Sequence, residues 1–196
     1  MSTDSVNPNR RRILNWTAGV VGAVGAGYAA VPFIRSMSPS ASVQAQATET
    51  VDLSKIEPGQ RITVMWQGKP VWVIRRTKEM TDTLTDDAVV GQLKDPKSKS
   101  SDQPEFAENP YRARHKEWLV MIAICTHLGC IPTYRPEPGG SFWSGNWEGG
   151  FFCPCHGSGY DLSGRVLEGS PAPRNMAVPF YEFISDSAVR IGHPSG

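Results

Sequence analysis

CTHLGC at residues 125–130 and CPCHGS at residues 153–158 together hold all four cysteines of the chain and two of its four histidines. Six soft or borderline metal ligands therefore sit in two short segments, where a metal site typically uses about four protein ligands. Two of the six must serve another purpose. Written as spacing, the candidate ligands are Cys125-x-His127 and Cys153-x-x-His156, with 25 residues between the pairs.

Thiolate plus imidazole is the ligand set of zinc or of a mixed-ligand iron–sulfur centre. Plain ferredoxin clusters require four cysteines. A Cys₂His₂ zinc finger places both cysteines before both histidines. Here each half has Cys first and His after it. That equal division suits a two-iron cluster in which one iron takes two Cys and the other takes two His. Two structural disulfides would use the cysteines but leave both histidines idle. Structural zinc is the other competing use of these residues. His115 and His193 lie outside the boxes and read as surface histidines.

The amino terminus carries a different signal. NRRRILNW at residues 9–16 leads into an uncharged run from Ile13 to Ile34. As a helix that run would be roughly 33 Å long, enough to cross a hydrocarbon core. Arg10, Arg11, Arg12 and Arg35 against Asp4 give residues 1–35 a charge of +3, so the remainder sums to −2 of the total +1. Arginines before the run place the amino terminus in the cytoplasm and the rest of the chain outside it. Arg10-Arg11-Arg12-Ile13-Leu14 resembles a twin-arginine export signal, with Asn9 and Asn15 departing from the common Ser and Lys. Ala45-Gln46-Ala47 offers an A-x-A cleavage pattern, but it lies far beyond the apolar run, so an uncleaved anchor is expected. No basic patch of the kind nucleic acid demands is present.

Residues 36–50, SMSPSASVQAQATET, are small, polar and aperiodic, which predicts a flexible tether. RITVMWQ (61–67) and KPVWVIRRT (69–77) predict a hairpin turning near Gly68-Lys69. Residues 78–116 are polar, with a short helix expected near 81–93 and then a loop. EWLVMIAI (117–124) predicts a strand that delivers Cys125. SFWSGNW (141–147) and GGFFC (149–153) predict a hairpin delivering the second box, and NMAVPFYEFI (175–184) and AVRIG (188–192) predict closing strands. The expected architecture is an all-β head of packed antiparallel sheets, with a small subdomain near 125–173 that holds the two boxes. One transmembrane helix precedes it. The domains are thus 1–35, signal and anchor; 36–50, tether; and 51–196, head.

CTHLGC with CPCHGS resembles the two cluster-binding boxes of Rieske [2Fe–2S] proteins. More narrowly, the chain is similar to the bacterial Rieske subunits of the cytochrome bc₁ complex, ubiquinol–cytochrome c reductase. The resemblance covers most of the chain and is weakest over 78–116, which looks like an insertion found in bacterial members. It implies one [2Fe–2S] cluster per chain. It assigns Cys125 and Cys153 to one iron and His127 and His156 to the other. Spacing alone leaves open whether Cys125 or Cys130 is the ligand. The family pattern makes Cys130 and Cys155 a disulfide tying the two loops, a bond that an oxidising compartment lets persist.

Other positions carry family roles on the same footing. Ser158 and Tyr160, in H-G-S-G-Y, match positions whose hydroxyls donate to a bridging sulfur and to a cysteine sulfur, which raises the reduction potential. The imidazole of His156 would meet quinol at the surface of cytochrome b, with His127 also exposed. A ligating imidazole keeps a second ring nitrogen that can take a proton when iron takes an electron. Leu128 and Gly129, with Pro171 and Pro173 of the proline loop, would form the docking surface. SPAP at 170–173 matches that loop, but the family usually begins it with Gly where this chain has Ser170. A tight positive-φ turn at 170 is therefore in question.

The resemblance implies an electron-transfer subunit, catalytic within a membrane quinol oxidase. It would take an electron with a proton from ubiquinol at cytochrome b and pass the electron to cytochrome c₁. The setting would be a dimeric, proton-translocating complex in the bacterial inner membrane, with the head periplasmic. A Rieske subunit of a soluble oxidoreductase such as arsenite oxidase is the competing redox reading. A ring-hydroxylating dioxygenase ferredoxin is disfavoured by the export signal and the extra cysteine pair. A chloroplast-type b₆f subunit stays open as an alternative, though the long 78–116 segment looks more like bacterial bc₁ chains.

Overall fold

The computed structural model describes residues 7–37, 47–142 and 145–192. The chain divides into two compact units, Met1–Gln44 and Ala45–Gly196.

The first unit contains one helix, α1 (Pro8–Ser36). Asn7 caps it, its side-chain oxygen accepting from the amides of Asn9 at 3.0 Å and Arg10 at 3.4 Å. Pro8 follows, in the first turn, where its missing N–H costs nothing. The helix thus begins before the expected apolar run and takes in all three arginines. Cations at a helix start oppose the helix dipole, so the arginines do not stabilise α1. No residue of α1 is buried, and Ile13, Val21, Phe33 and Ile34 are 65–73 % exposed. An 18-residue window within its 29 residues has a mean hydropathy of 1.6, so it is long and apolar enough to cross a membrane.

The head is built from antiparallel pairs in three-stranded sheets. The first sheet orders β1 (Glu49–Asp52), β11 (Ala188–Ile191) and β10 (Tyr181–Ser185). The second orders β2 (Arg61–Trp66), β3 (Lys69–Arg75) and β4 (Trp118–Ile122). The third orders β5 (Thr133–Arg135), β8 (Gly150–Cys153) and β9 (Ser158–Tyr160). A small ribbon pairs β6 (Ser141–Phe142) with β7 (Gly145–Asn146). The turn between β2 and β3 is Gln67-Gly68, with φ of 50° and 73°. Two successive positive φ values match the right-handed twist of the strands, which explains Gly there and fixes the register.

The second sheet is the middle layer. Successive side chains of a strand point to opposite faces, and β3 and β4 bury both. Val71, Val73, Val120 and Ile122 join Val51, Tyr181, Val189 and Ile191 in one core. Trp72, Ile74, Leu119 and Met121 face the other way, into a core with Cys125, Phe151, Cys153 and Tyr160. This is why KPVWVIRR reads as a continuous apolar run rather than an alternating one. Trp72 stacks on Phe151 at 5.2 Å between ring centroids, and Tyr134 on Phe151 at 5.5 Å. The cysteine candidates Cys125 and Cys153 are therefore seated against one face of this sheet.

Several boundaries differ from the sequence expectation. Both ends of the 36–50 tether are ordered. Ser36 closes α1, the carbonyl of Ala47 accepts from the Trp66 indole at 2.9 Å, and Glu49 and Thr50 pair with Ile191 and Arg190. Residues 38–46, most of the tether, and Ala45 and Gln46 of the A-x-A pattern lie outside the described residues, as does His193.

The helix expected near 81–93 is two short ones, α2 (Lys78–Thr83) and α3 (Asp87–Val90). Asp86 separates them because its carboxylate accepts from the Ala88 amide at 2.8 Å and so starts a new helix. The 141–153 hairpin does not form. Gly149 and Gly150 take φ of 91° and 150°, and β8 pairs instead with β5 and β9. The closing strand begins at Tyr181, not 175, since Asn175 and Met176 serve the site loops.

Segment 78–116 packs against residues 161–178. Arg165 donates to the carbonyls of Leu84 at 2.7 Å and Pro96 at 3.3 Å. Asn175 donates to Asp95 O at 3.0 Å and Ser98 Oγ at 2.8 Å. Arg112 donates to the carbonyls of Ser163, Gly164 and Met176 and to Gln103. Burial pushes the Arg76 and Arg112 guanidinium groups down to about 10, still protonated at neutral pH. At the centre Asp161 and Arg165 form a buried pair at 2.7 Å.

Candidate metal centre

The first box leaves β4 and folds back on itself. The Cys125 amide donates to the Cys130 carbonyl at 2.8 Å, and the Gly129 amide to the Cys125 carbonyl at 3.0 Å. The second box is a tight turn between β8 and β9, closed by the Gly157 amide on the Cys153 carbonyl at 2.9 Å. The two loops are joined by a disulfide between Cys130 and Cys155, 25 residues apart. Cys125 and Cys153 remain as free, buried thiols. The sulfurs of Cys130, Cys153 and Cys155 lie within 4.8 Å of one another, but the disulfide removes two of them as thiolate ligands. Burial, with the Cys125 thiol beside it, pushes the Cys153 thiol up. A protonated thiol is a poor nucleophile towards the neighbouring disulfide.

The histidines complete the constellation. The rings of His127 and His156 lie 4.7 Å apart between centroids, nearly perpendicular. His156 is exposed and His127 half-buried. Nδ1 of His127 is buried and has no hydrogen-bond partner among the described residues. A buried polar atom left unpaired costs about 1–3 kcal/mol, so this nitrogen is suited to a metal. Two free buried thiols, two facing imidazoles and an orphaned ring nitrogen fit a mixed-ligand two-iron cluster. They fit a Cys₄ cluster poorly, because two cysteines are oxidised to the bridge.

A hydroxyl group lies against the Cys125 thiol. Tyr160 is buried, with its OH 3.1 Å from Cys125 Sγ. The same oxygen accepts from the Thr126 amide at 3.1 Å and lies 3.3 Å from Thr126 Oγ1. Thr126 spends its own proton on the Arg174 carbonyl at 2.6 Å. The phenol proton is thus available to Cys125, and a thiolate there is the stronger acceptor. Burial and the Cys125 contact raise the Tyr160 pKa, keeping the phenol protonated. Ser158 is fully buried, and its Oγ accepts from the Ala172 amide at 3.1 Å. With that lone pair engaged, the Ser158 proton can be offered elsewhere.

The outer rim is apolar. Leu128 is 70 % exposed and Ile131 57 %. Gly129, Pro171 and Pro173 are exposed too. Gly169 takes the positive φ of 78° before the proline loop, and Ser170 is not among the positive-φ residues. Ser170 is instead buried, its Oγ accepting from the Gly159 amide at 3.0 Å and donating to the Gly159 carbonyl at 3.2 Å. Sequence reasoning missed Thr126 and this role of Ser170. Thr126 carries a signal in being enclosed by the first box. His115 stands apart from the site, edge-on to Phe183 at 4.6 Å.

Comparison with known proteins agrees with this geometry. Residues 46–182 match the family model Rieske [2Fe-2S] domain, and residues 1–40 match Ubiquitinol-cytochrome C reductase Fe-S subunit TAT signal. The ubiquinol-cytochrome c reductase iron-sulfur subunit of Allochromatium vinosum is 49 % identical over 100 % of this chain and 94 % of its own. That of Bradyrhizobium diazoefficiens is 46 % identical over 95 % of this chain and 96 % of its own. Among solved structures, a chain of a hyperthermophilic respiratory Complex III matches with a TM-score of 0.50 and 26 % identity, over 89 % of this chain and 98 % of that one. Two buried thiols and two facing imidazoles on a bridged pair of loops, in a chain alike from end to end to these relatives, place it in a family. The chain belongs to the Rieske [2Fe–2S] proteins and, within them, to the iron–sulfur subunits of ubiquinol–cytochrome c reductase.

Proposed function

We propose that this chain carries one electron, with a proton, from ubiquinol at a cytochrome b surface to cytochrome c₁. It acts there as a catalytic subunit of a dimeric, proton-translocating complex. The observation that carries this reading is the pair of facing imidazoles of His127 and His156 at an exposed apolar tip, with the two free thiols buried behind them. Cys125 and Cys153 would hold one iron, and His127 and His156 the other. When bound, the cluster supplies a one-electron acceptor whose reduction is tied to protonation of its imidazole ligands.

The chain's own residues supply the rest. His156, exposed, presents a ring nitrogen that can accept a hydrogen bond and then a proton from a quinol hydroxyl. Leu128, Gly129, Pro171 and Pro173 offer an apolar rim that excludes water where the head docks. Ser158 and Tyr160 donate hydrogen bonds to sulfur, favouring the more negatively charged reduced state and raising the potential. α1 anchors the chain in the inner membrane as a single pass, amino terminus cytoplasmic and head periplasmic. The segment joining α1 to β1, shorter than the expected 36–50, gives the head its reach between partners.

The test is a titration of the midpoint potential of the full, cluster-loaded chain against pH. The expected result is a potential in the upper part of the class range of roughly −150 to +300 mV, falling as pH rises above neutrality. A low potential flat through that region would replace the quinol reading with a ferredoxin-like carrier. Matured protein with no redox-active cluster would replace it with zinc.

A further inference from the structure

The segment between β3 and β4 reaches the proline loop through one side chain. Lys94 Nζ donates to the carbonyl of Ser170 at 2.5 Å and to that of Ala172 at 3.1 Å. Its own amide donates to Val166 O at 3.0 Å, and the Glu168 amide donates to Gln92 O at 2.7 Å. Leu93 and Leu167 form a β-bridge beside them. The backbone of 92–94 is therefore fixed, and the ammonium of the exposed Lys94 is hydrogen-bonded to the loop. From the inside, Ser170 Oγ bonds both backbone groups of Gly159, which separates Ser158 from Tyr160.

Between these two anchors lies Ala172, whose amide donates to Ser158 Oγ at 3.1 Å. A serine hydroxyl rotates freely unless one of its lone pairs is claimed. The Ala172 N–H claims one, and what fixes that N–H is the loop held by Lys94.

We propose that Lys94 is a positioning residue for the metal centre: by clamping the carbonyls of Ser170 and Ala172 it holds the Ala172 amide on Ser158, and so aims the Ser158 proton at cluster sulfur. This rests on the reading of Ser158 as a sulfur donor. It gives the 78–116 segment a redox role in addition to its packing one. The ammonium acts through hydrogen bonds to carbonyls, so an arginine, which can reach the same oxygens, should partly replace it.

The test is a double-mutant cycle on the midpoint potential of the full cluster-loaded chain: Lys94→Met, Ser158→Ala and both together. Lys94→Met keeps the aliphatic stem at an exposed position, so the fold survives. Each single variant should shift the potential downward, Lys94→Met by less. The double variant should match Ser158→Ala alone. Lys94→Arg should restore most of the shift, and in Lys94→Met the Ala172 amide should exchange with deuterium about tenfold faster. If Ser158→Ala shifts the potential but Lys94→Met does not, Lys94 is no positioning residue and the Ser158 reading stands. If the two shifts add in the double variant, Lys94 acts by charge through space and the clamp is overturned. If Ser158→Ala itself leaves the potential unchanged, the sulfur-donor reading fails, and this inference with it.

Discussion

The phenol oxygen of Tyr160, on β9, lies 3.1 Å from Sγ of Cys125, at the start of the first box. The contact sets a proton donor beside a free, buried thiol. Tyr160→Phe removes the donor and leaves the ring. The cluster should assemble, and the midpoint potential should fall. The Thr126 amide loses its acceptor as well, which should cost about 1–3 kcal/mol in unfolding measurements.

Ser158→Ala should also retain the cluster spectrum and lower the potential. A hydrogen bond to a charged acceptor is worth about 1.5–3 kcal/mol. For one electron that corresponds to roughly 60–130 mV at most, because the oxidised state is hydrogen-bonded too. Redox titration beside the parent chain reads it directly; an unchanged potential would refute the role.

His156→Ala should abolish cluster assembly, not merely retune it. The loss would leave the proposed histidine-held iron one ligand short at an exposed position. Visible absorption and electron paramagnetic resonance of purified protein check this. A normal cluster spectrum would mean the ligand set is wrong.

Removing the bridge by Cys130→Ala with Cys155→Ala should destabilise the head by roughly 3–4 kcal/mol, from the entropy of a loop of 25 residues. The two boxes would then be held together only by ligands and hydrogen bonds. Cluster loss on warming should therefore precede unfolding of the remaining sheets, seen as visible bleaching before the far-ultraviolet transition.

Alkaline stability should depend on Tyr134. Burial, then Glu137, pushes its phenol up to about 12. The folded state keeps the proton where the unfolded chain releases it, near 10. The contribution to stability is therefore complete below pH 10 and is lost as pH rises through about 12. Tyr134→Phe should flatten the fall in melting temperature over that window.

The strands and the hairpin at Gln67-Gly68 were legible because their signals are local: apolar runs and a turn whose φ values demand Gly. The two site loops were legible for the same reason, since each box spans only six residues. The 141–153 pairing was not, because β8 takes its partner from Thr133–Arg135 and no local pattern announces that. Asp86 split a helix that composition alone joined. Lys94 and Ser170 were invisible as site residues. The carbonyls that Lys94 reaches lie 76 and 78 residues away, and a carbonyl acceptor leaves no mark in a sequence. Ser170 read as a departure from pattern, whereas its hydroxyl ties the proline loop to the strand between Ser158 and Tyr160.

The two-faced middle sheet has a consequence for how such a chain can change over time. On β3 the odd positions Val71 and Val73 answer to the scaffold, and the even positions Trp72 and Ile74 answer to the electron-carrying end. One strand thus divides two cores by parity: a change at an odd position is felt first among the scaffold residues, and a change at an even one first behind Cys125 and Cys153.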